Sequence, residues 1–203
     1  SSGSTISSLT PTLVSGTRYT VNDGANTTVT FDVSVTGAQY STSNQLAVGS
    51  YQLGYSNLNI SYSSPATMAN FNGIALAGSL TVNRKSITVS GIAAADKTYD
   101  GNLAATVSTT NVVYAGLMTN GLASNHANYK VDVITVSSTG SFDNKDVAYS
   151  SGSVTTKTVS LTNVYGGADR DNYTIVDQTT ATNAKINPAT LTVTADDKSK
   201  TYG

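Results

Sequence analysis

Apolar and polar residues alternate with a period of two along much of this chain. Val29, Phe31, Val33 and Val35 alternate with Thr28, Thr30, Asp32 and Ser34, which predicts a strand with one dry face and one wet face. Tyr129, Val131 and Val133 alternate likewise, but Ile134 and Val136 continue on the opposite parity. That switch predicts a bulge near Val133 or a strand buried on both faces. Val154 to Val164, rich in Thr, predicts a further long strand. Turn signals punctuate these runs at Asn22-Asp23-Gly24, Asp100-Gly101, Asn120-Gly121, Asn144-Lys145 and Gly166-Gly167, where Asn, Asp and Gly reach positive φ at low cost. Short strands between frequent turns predict an all-β fold of antiparallel β-sandwiches. The Ala-rich stretch Ile92 to Asp96 is far shorter than the roughly 12 residues that an isolated helix needs.

The pattern also repeats. Ser86-Ile87-Thr88-Val89-Ser90, followed by Lys97-Thr98-Tyr99-Asp100-Gly101, returns as Thr190-Leu191-Thr192-Val193-Thr194, followed by Lys200-Thr201-Tyr202-Gly203. Tyr99 and Tyr202 stand 103 residues apart, and Val89 and Val193 stand 104 apart. One module is therefore about a hundred residues long. The predicted division is a first module over 1–83, a second over 84–187, and a stub over 188–203 that is too short to bury a core alone. The stub reads as the first strand of a following repeat.

Composition narrows the partners. Charged residues make up 11% of the chain, against about 25% in an ordinary domain, and roughly three residues in ten are Ser or Thr. Hydroxyls and amides keep this surface wet. A net charge of −1 supplies no basic stripe for phosphates and no cationic face for a membrane, so neither nucleic acid nor membrane insertion is expected. No signal peptide opens the chain at Ser1 to Thr5, which reads as an internal excerpt. Cysteine is absent, which removes disulfides and thiolate metal sites. There is no Trp, and 12 Tyr stand against three Phe, which suggests thin cores with Tyr at their margins.

The motif Lys97-Thr98-Tyr99-Asp100-Gly101-Asn102, with Asp171-Asn172-Tyr173-Thr174-Ile175 some seventy residues on, resembles the YDG domain, a family found as tandem copies in large secreted proteins similar to filamentous haemagglutinin. The terminal Leu191-Thr192-Val193-Thr194-Ala195 and Lys200-Thr201-Tyr202-Gly203 look like the start of the companion MBG domain of the YGX type. Val48-Gly49-Ser50-Tyr51 and Gly78-Ser79-Leu80-Thr81-Val82 are similar to the end of an MBG repeat. The first module departs from that family in lacking an opening Lys-Thr-Tyr-Gly, which leaves a divergent Ig-like domain as the alternative. The resemblance implies tandem Ig-like modules arranged end to end in the stalk of a bacterial surface adhesin. It supplies no catalytic residue, and its motif residues Lys97, Tyr99, Asp100, Gly101, Asn172 and Tyr173 read as architecture.

Other candidate chemistry is sparse. The clusters Asp143-Asn144-Lys145-Asp146 and Asp169-Arg170-Asp171-Asn172 offer oxygens to calcium, but each holds a cation and neither has the 12-residue loop with a closing Glu. Asp96, Asp196 and Asp197, near module junctions, are the better calcium candidates, and no other cofactor is expected. A Lys–Asn isopeptide crosslink would pair Lys97 with Asn172 beside Asp100 or Asp171. His126 is the only histidine, so a zinc site or a Cys-His pair cannot form within one chain. No phosphate loop, nucleophile elbow or metal-binding histidine pair occurs, and no enzymatic activity is expected.

The expected function is thus a repetitive spacer of a secreted or cell-surface adhesin, acting as a monomer whose partners are its neighbouring modules. It would project a distal binding region for cell adhesion and biofilm formation. The alternative is a module that itself binds a host or bacterial surface glycan or protein through Tyr51, Tyr55 and Tyr62, the densest Tyr cluster of the first module.

Overall fold

A computed structural model describes residues 11–22, 27–62 and 77–203. The chain divides into two compact units, Ser1–Arg84 and Lys85–Gly203. Nearly all of its regular structure is β. The Asp23-Gly24 turn lies outside the described residues.

In the first unit, strands β1 (Thr12–Ser15), β2 (Arg18–Asn22), β3 (Thr27–Thr36), β4 (Gly49–Tyr62) and β5 (Ser79–Val82) pair in sequence order as one antiparallel sheet. The alternation in β3 works as its sequence predicts, with Val29 and Phe31 buried and their neighbours on the wetter side. Phe31 stacks on Tyr19 of β2 at 6.3 Å between ring centroids. Register shifts between Thr30 and Asp32, and Asn57 opposite takes a positive φ of 50°. That kink brings the Asn57 amide to Asp32 Oδ2 at 2.7 Å, while Arg18 reaches Oδ1 at 3.2 Å.

The second unit opens with β6 (Lys85–Ser90), β7 (Ala93–Ala94), β8 (Lys97–Thr98), β9 (Ala104–Ala105), β10 (Val107–Ser108) and β11 (Val113–Ala115). It continues through β12 (Thr135–Phe142), the hairpin β13 (Tyr149–Ser150) and β14 (Ser153–Val154), and β15 (Lys157–Gly166). It closes with β16 (Tyr173–Val176), β17 (Thr180–Ala184) and β18 (Ile186–Asn187). Its larger sheets run β11-β6-β16 and β17-β15-β12-β9, and three two-stranded pairs complete it. The main core draws Val89 from the first of these sheets and Phe142, Val159, Leu161, Ala181 and Ala184 from the second, with Ile186 of β18.

Three expectations change here. Pairing is not antiparallel throughout, because β16 runs parallel to β6 and β18 parallel to β8. The opening segment of the unit thus pairs with strands nearly ninety residues later in the same direction, which only a long crossover can achieve. The predicted strand Val154–Val164 is two strands, separated at Thr155 and Thr156 where β14 leaves its hairpin and β15 joins β12. Val131 and Val133 are exposed, whereas Asp132 and Ile134 are buried. Inward parity then runs unbroken through Val136 to Phe142 with no bulge, because the buried Asp132 finds partners and so can hold an inward position.

Two side-chain amides join the halves of this unit. Gln178 accepts from Ile92 N at 2.9 Å and donates to Ile92 O at 2.7 Å. Asn183 accepts from Ala94 N at 3.1 Å and donates to Ala94 O. Each amide takes the place of a neighbouring strand, satisfying a backbone donor and acceptor that would otherwise lie unpaired at the core margin.

Candidate functional site

The motif that opens the second unit builds a turn around its own lysine. Gly101 takes φ 78°, a left-handed conformation that glycine adopts without a Cβ penalty. Asp100 Oδ1 accepts from Asn102 N at 3.1 Å and holds the turn. Lys97 Nζ lies 2.6 Å from Asp100 Oδ1, 2.9 Å from Asn102 Oδ1 and 3.1 Å from Ala104 O. It also sits 5.9 Å from the centre of the Phe142 ring. The hydrogen bond from Lys97 leads in holding the Asp100 carboxyl below the usual carboxylate range, with Asn102 N adding to it. Tyr99 is 38% exposed.

A second lysine centres the turn after β12. Lys157 heads β15 with its side chain only 4% exposed. Its Nζ stands 2.6 Å from Asn144 Oδ1 and 3.1 Å from Asp143 Oδ1. Asn144 N donates to Asp143 Oδ1 at 2.7 Å, and Asp146 N donates to Asn144 Oδ1 at 3.1 Å. The Lys157 contact leads in holding the Asp143 carboxyl below its ordinary range. Lys145, ion-paired to Asp146 at 2.9 Å, lies 5.8 Å from the Tyr99 ring centre and so links the two turns. A cleft of about 500 Å³ adjoins them, lined by Tyr99, Asp146, Val147 and the outgoing chain Pro188 to Leu191.

The closing motif does different work. Arg170–Asn172 form a short 3-10 turn, and Tyr173 follows it into the core at 1% exposure. The Tyr173 hydroxyl donates to Asp132 Oδ2 at 2.6 Å and accepts from Met118 N at 3.0 Å. Asp169, also buried, accepts from Val133 N at 2.7 Å. Burial first, and Asp132 second, push the Tyr173 phenol above its ordinary range.

The acids considered for calcium are not gathered. Asp96 Oδ1 accepts from Lys185 N at 2.7 Å and pins the end of β17 to the start of the unit. Asp196 and Asp197 lie on the exposed segment after β18, where Asp196 pairs with Lys198 at 3.3 Å. Among the described residues no group of three or more metal-ligating side chains forms. Lys97 and Asn172 are not brought together either: Asn102 stands at the ammonium, and Asn172 lies in the turn before β16. Sequence pattern alone singles out neither Lys157 nor Asp132, and it offers Asp169 only as one acid of a calcium cluster. Only an acid on the inward parity of an apolar run marks Asp132, and Lys157 shares the parity of Val159 and Leu161.

In the first unit Tyr51 is buried and donates its hydroxyl to Ala47 O at 2.8 Å. Tyr55 is 47% exposed and lines a cavity of about 250 Å³ with Tyr19, Phe31, Val33 and Leu53. The side chain of Tyr62 lies outside the described residues.

Comparison with known proteins places a YDG domain at residues 83–182. The folded unit runs past that match, because Ala184 and Ile186 are fully buried in its core. The chain matches no curated protein and no solved structure.

Proposed function

We propose that this chain, with a YDG domain at residues 83–182, is a segment of the repetitive stalk of a bacterial surface adhesin, exported to the cell surface. The observation that carries this reading is the repeat together with its junctions. Two residues, Asn83 and Arg84, separate β5 from β6. Two residues, Pro188 and Ala189, separate β18 from Thr190-Leu191-Thr192-Val193-Thr194, the returning copy of the β6 sequence. The strand that closes each module is thus followed almost directly by the sequence that opens the next, and Pro188 stiffens one such joint. Residues 188–203 are the opening of a further MBG-like repeat in this account.

On this reading the modules are Ig-like sandwiches set end to end, the first of them MBG-like. A core shared by the β11-β6-β16 and β17-β15-β12-β9 sheets supports the sandwich for the second unit. The role is mechanical in this account: the motif residues Lys97, Asp100, Gly101 and Tyr173 hold turns and core. Small-angle scattering tests it, with an elongated particle expected at about 40 Å per module. A compact globule would count against it.

The exposed Tyr55 beside an apolar cavity favours a second reading, in which the first unit binds a surface glycan or protein. Tyr rings supply such platforms. Glycan-array binding that disappears in Tyr55→Ala would support it, and an array without hits would leave the spacer alone.

A further inference from the structure

Two lysines in the second unit each face an asparagine and an aspartate, but their surroundings differ. The Lys97 ammonium is ringed by the carboxylate of Asp100, the side chain of Asn102 and the carbonyls of Asn102 and Ala104. Those acceptors saturate its three protons. Lys157 is more deeply buried, at 4% side-chain exposure. Its contacts are two: the Asn144 carboxamide oxygen at 2.6 Å and Asp143 Oδ1 at 3.1 Å. The carbon of that carboxamide lies one C=O bond beyond the oxygen.

We propose that Lys157 and Asn144 are the partners of an intramolecular isopeptide bond that forms spontaneously in the folded second unit. Each part of the reaction has a group in place. Lys157 Nζ is the nucleophile, buried against the base of the β12–β15 hairpin. Asp143 Oδ1 is the proton acceptor within reach of it. The backbone N–H of Asp146, 3.1 Å from Asn144 Oδ1, stabilises the charge that develops on that oxygen. Asn144 is exposed, so the departing nitrogen can leave to solvent.

The step balances without any other reagent. The ammonium gives one proton to Asp143, and the neutral amine adds to Cγ of Asn144. The C–Nδ2 bond breaks, Asp143 passes its proton to the departing nitrogen, and ammonia leaves and is protonated by the second proton lost from Nζ. A secondary amide replaces a primary one, and no oxidant or reductant is involved. Once formed, the crosslink ties the turn after β12 to the head of β15 and clips the excursion through β13 and β14.

Mass spectrometry of the folded chain, incubated at neutral pH until its mass is constant, tests this. The expected product is lighter by one ammonia. After trypsin it yields a branched species in which the peptide ending at Lys145 is joined through Lys157, with cleavage after Lys157 lost. Lys157→Arg and Asn144→Ala should each keep the full mass, and Asp143→Ala should slow the loss by at least tenfold. A linear peptide with a succinimide at Asn144 has the same mass loss, so that product, or an ammonia loss that survives in Lys157→Arg, would overturn the proposal. So would an unshifted mass of folded protein, folding being read independently from its circular dichroism.

Discussion

The Tyr173 hydroxyl serves two groups at once, donating to the buried carboxylate of Asp132 and accepting from the amide of Met118. Tyr173→Phe takes the acceptor from Met118 N and one donor from Asp132 while the ring still fills its place. Removing one partner of a buried hydrogen bond costs about 1–3 kcal/mol. Urea unfolding of the second unit should show a loss of that size, and an unchanged midpoint would mean that water takes over the hydroxyl's role. Asp100 makes a separate prediction with a definite sign. Its carboxyl is held low in the folded state, chiefly by Lys97. Its contribution is therefore complete above the unfolded value of about 3.9 and is lost as pH falls through the folded one. Stability should hold from neutral pH to about pH 5 and decline below about pH 4, with a shallower acid limb in Asp100→Asn. An identical acid limb in that variant would contradict the ion pair's role. At this scale the turn chemistry of Asp100-Gly101 is legible in the sequence, because local backbone demands are written locally. The burial of Lys157 and Asp132 is not, because it depends on partners 13 or 41 residues away and has no local signature.

Elements follow alternation well where one face is dry, as β3 and β15 do. They follow it poorly where a polar residue takes an inward place. Val131 and Val133 suggest the wrong parity for the segment before β12, since the inward set is Asp132, Ile134 and Val136. Gln178 and Asn183 carry no mark that separates them from surface amides, yet each acts as a surrogate strand for the segment after β6. The parallel pairs β6 with β16 and β8 with β18 are beyond local pattern altogether, since alternation carries no direction. Packing between elements is close at Gly140 in β12. A Cβ there would stand 2.6 Å from Val107 Cγ2 and 2.8 Å from Val159 Cγ1. Gly140→Ala forces β10 or β15 to shift, and overpacking of this kind costs about 1–3 kcal/mol. Thermal unfolding should show the second unit's transition lowered and the first unit's unchanged. A variant as stable as the parent would mean that the core around Val159 yields more easily than its burial suggests.

For the whole molecule, the hundred-residue period is written in the chain itself, since Lys97-Thr98-Tyr99 returns as Lys200-Thr201-Tyr202. The chain divides between Arg84 and Lys85, at the foot of the β6 strand whose sequence returns at Thr190. The role of a spacer is a claim about load, because a module that projects a distal domain must carry force along the chain and unfold independently of its neighbours. Pulling single molecules between their ends tests that most directly. The account predicts two separate rupture events, with the larger gain in contour length from the second unit. A single rupture spanning both units, or a smooth extension without any, would contradict it.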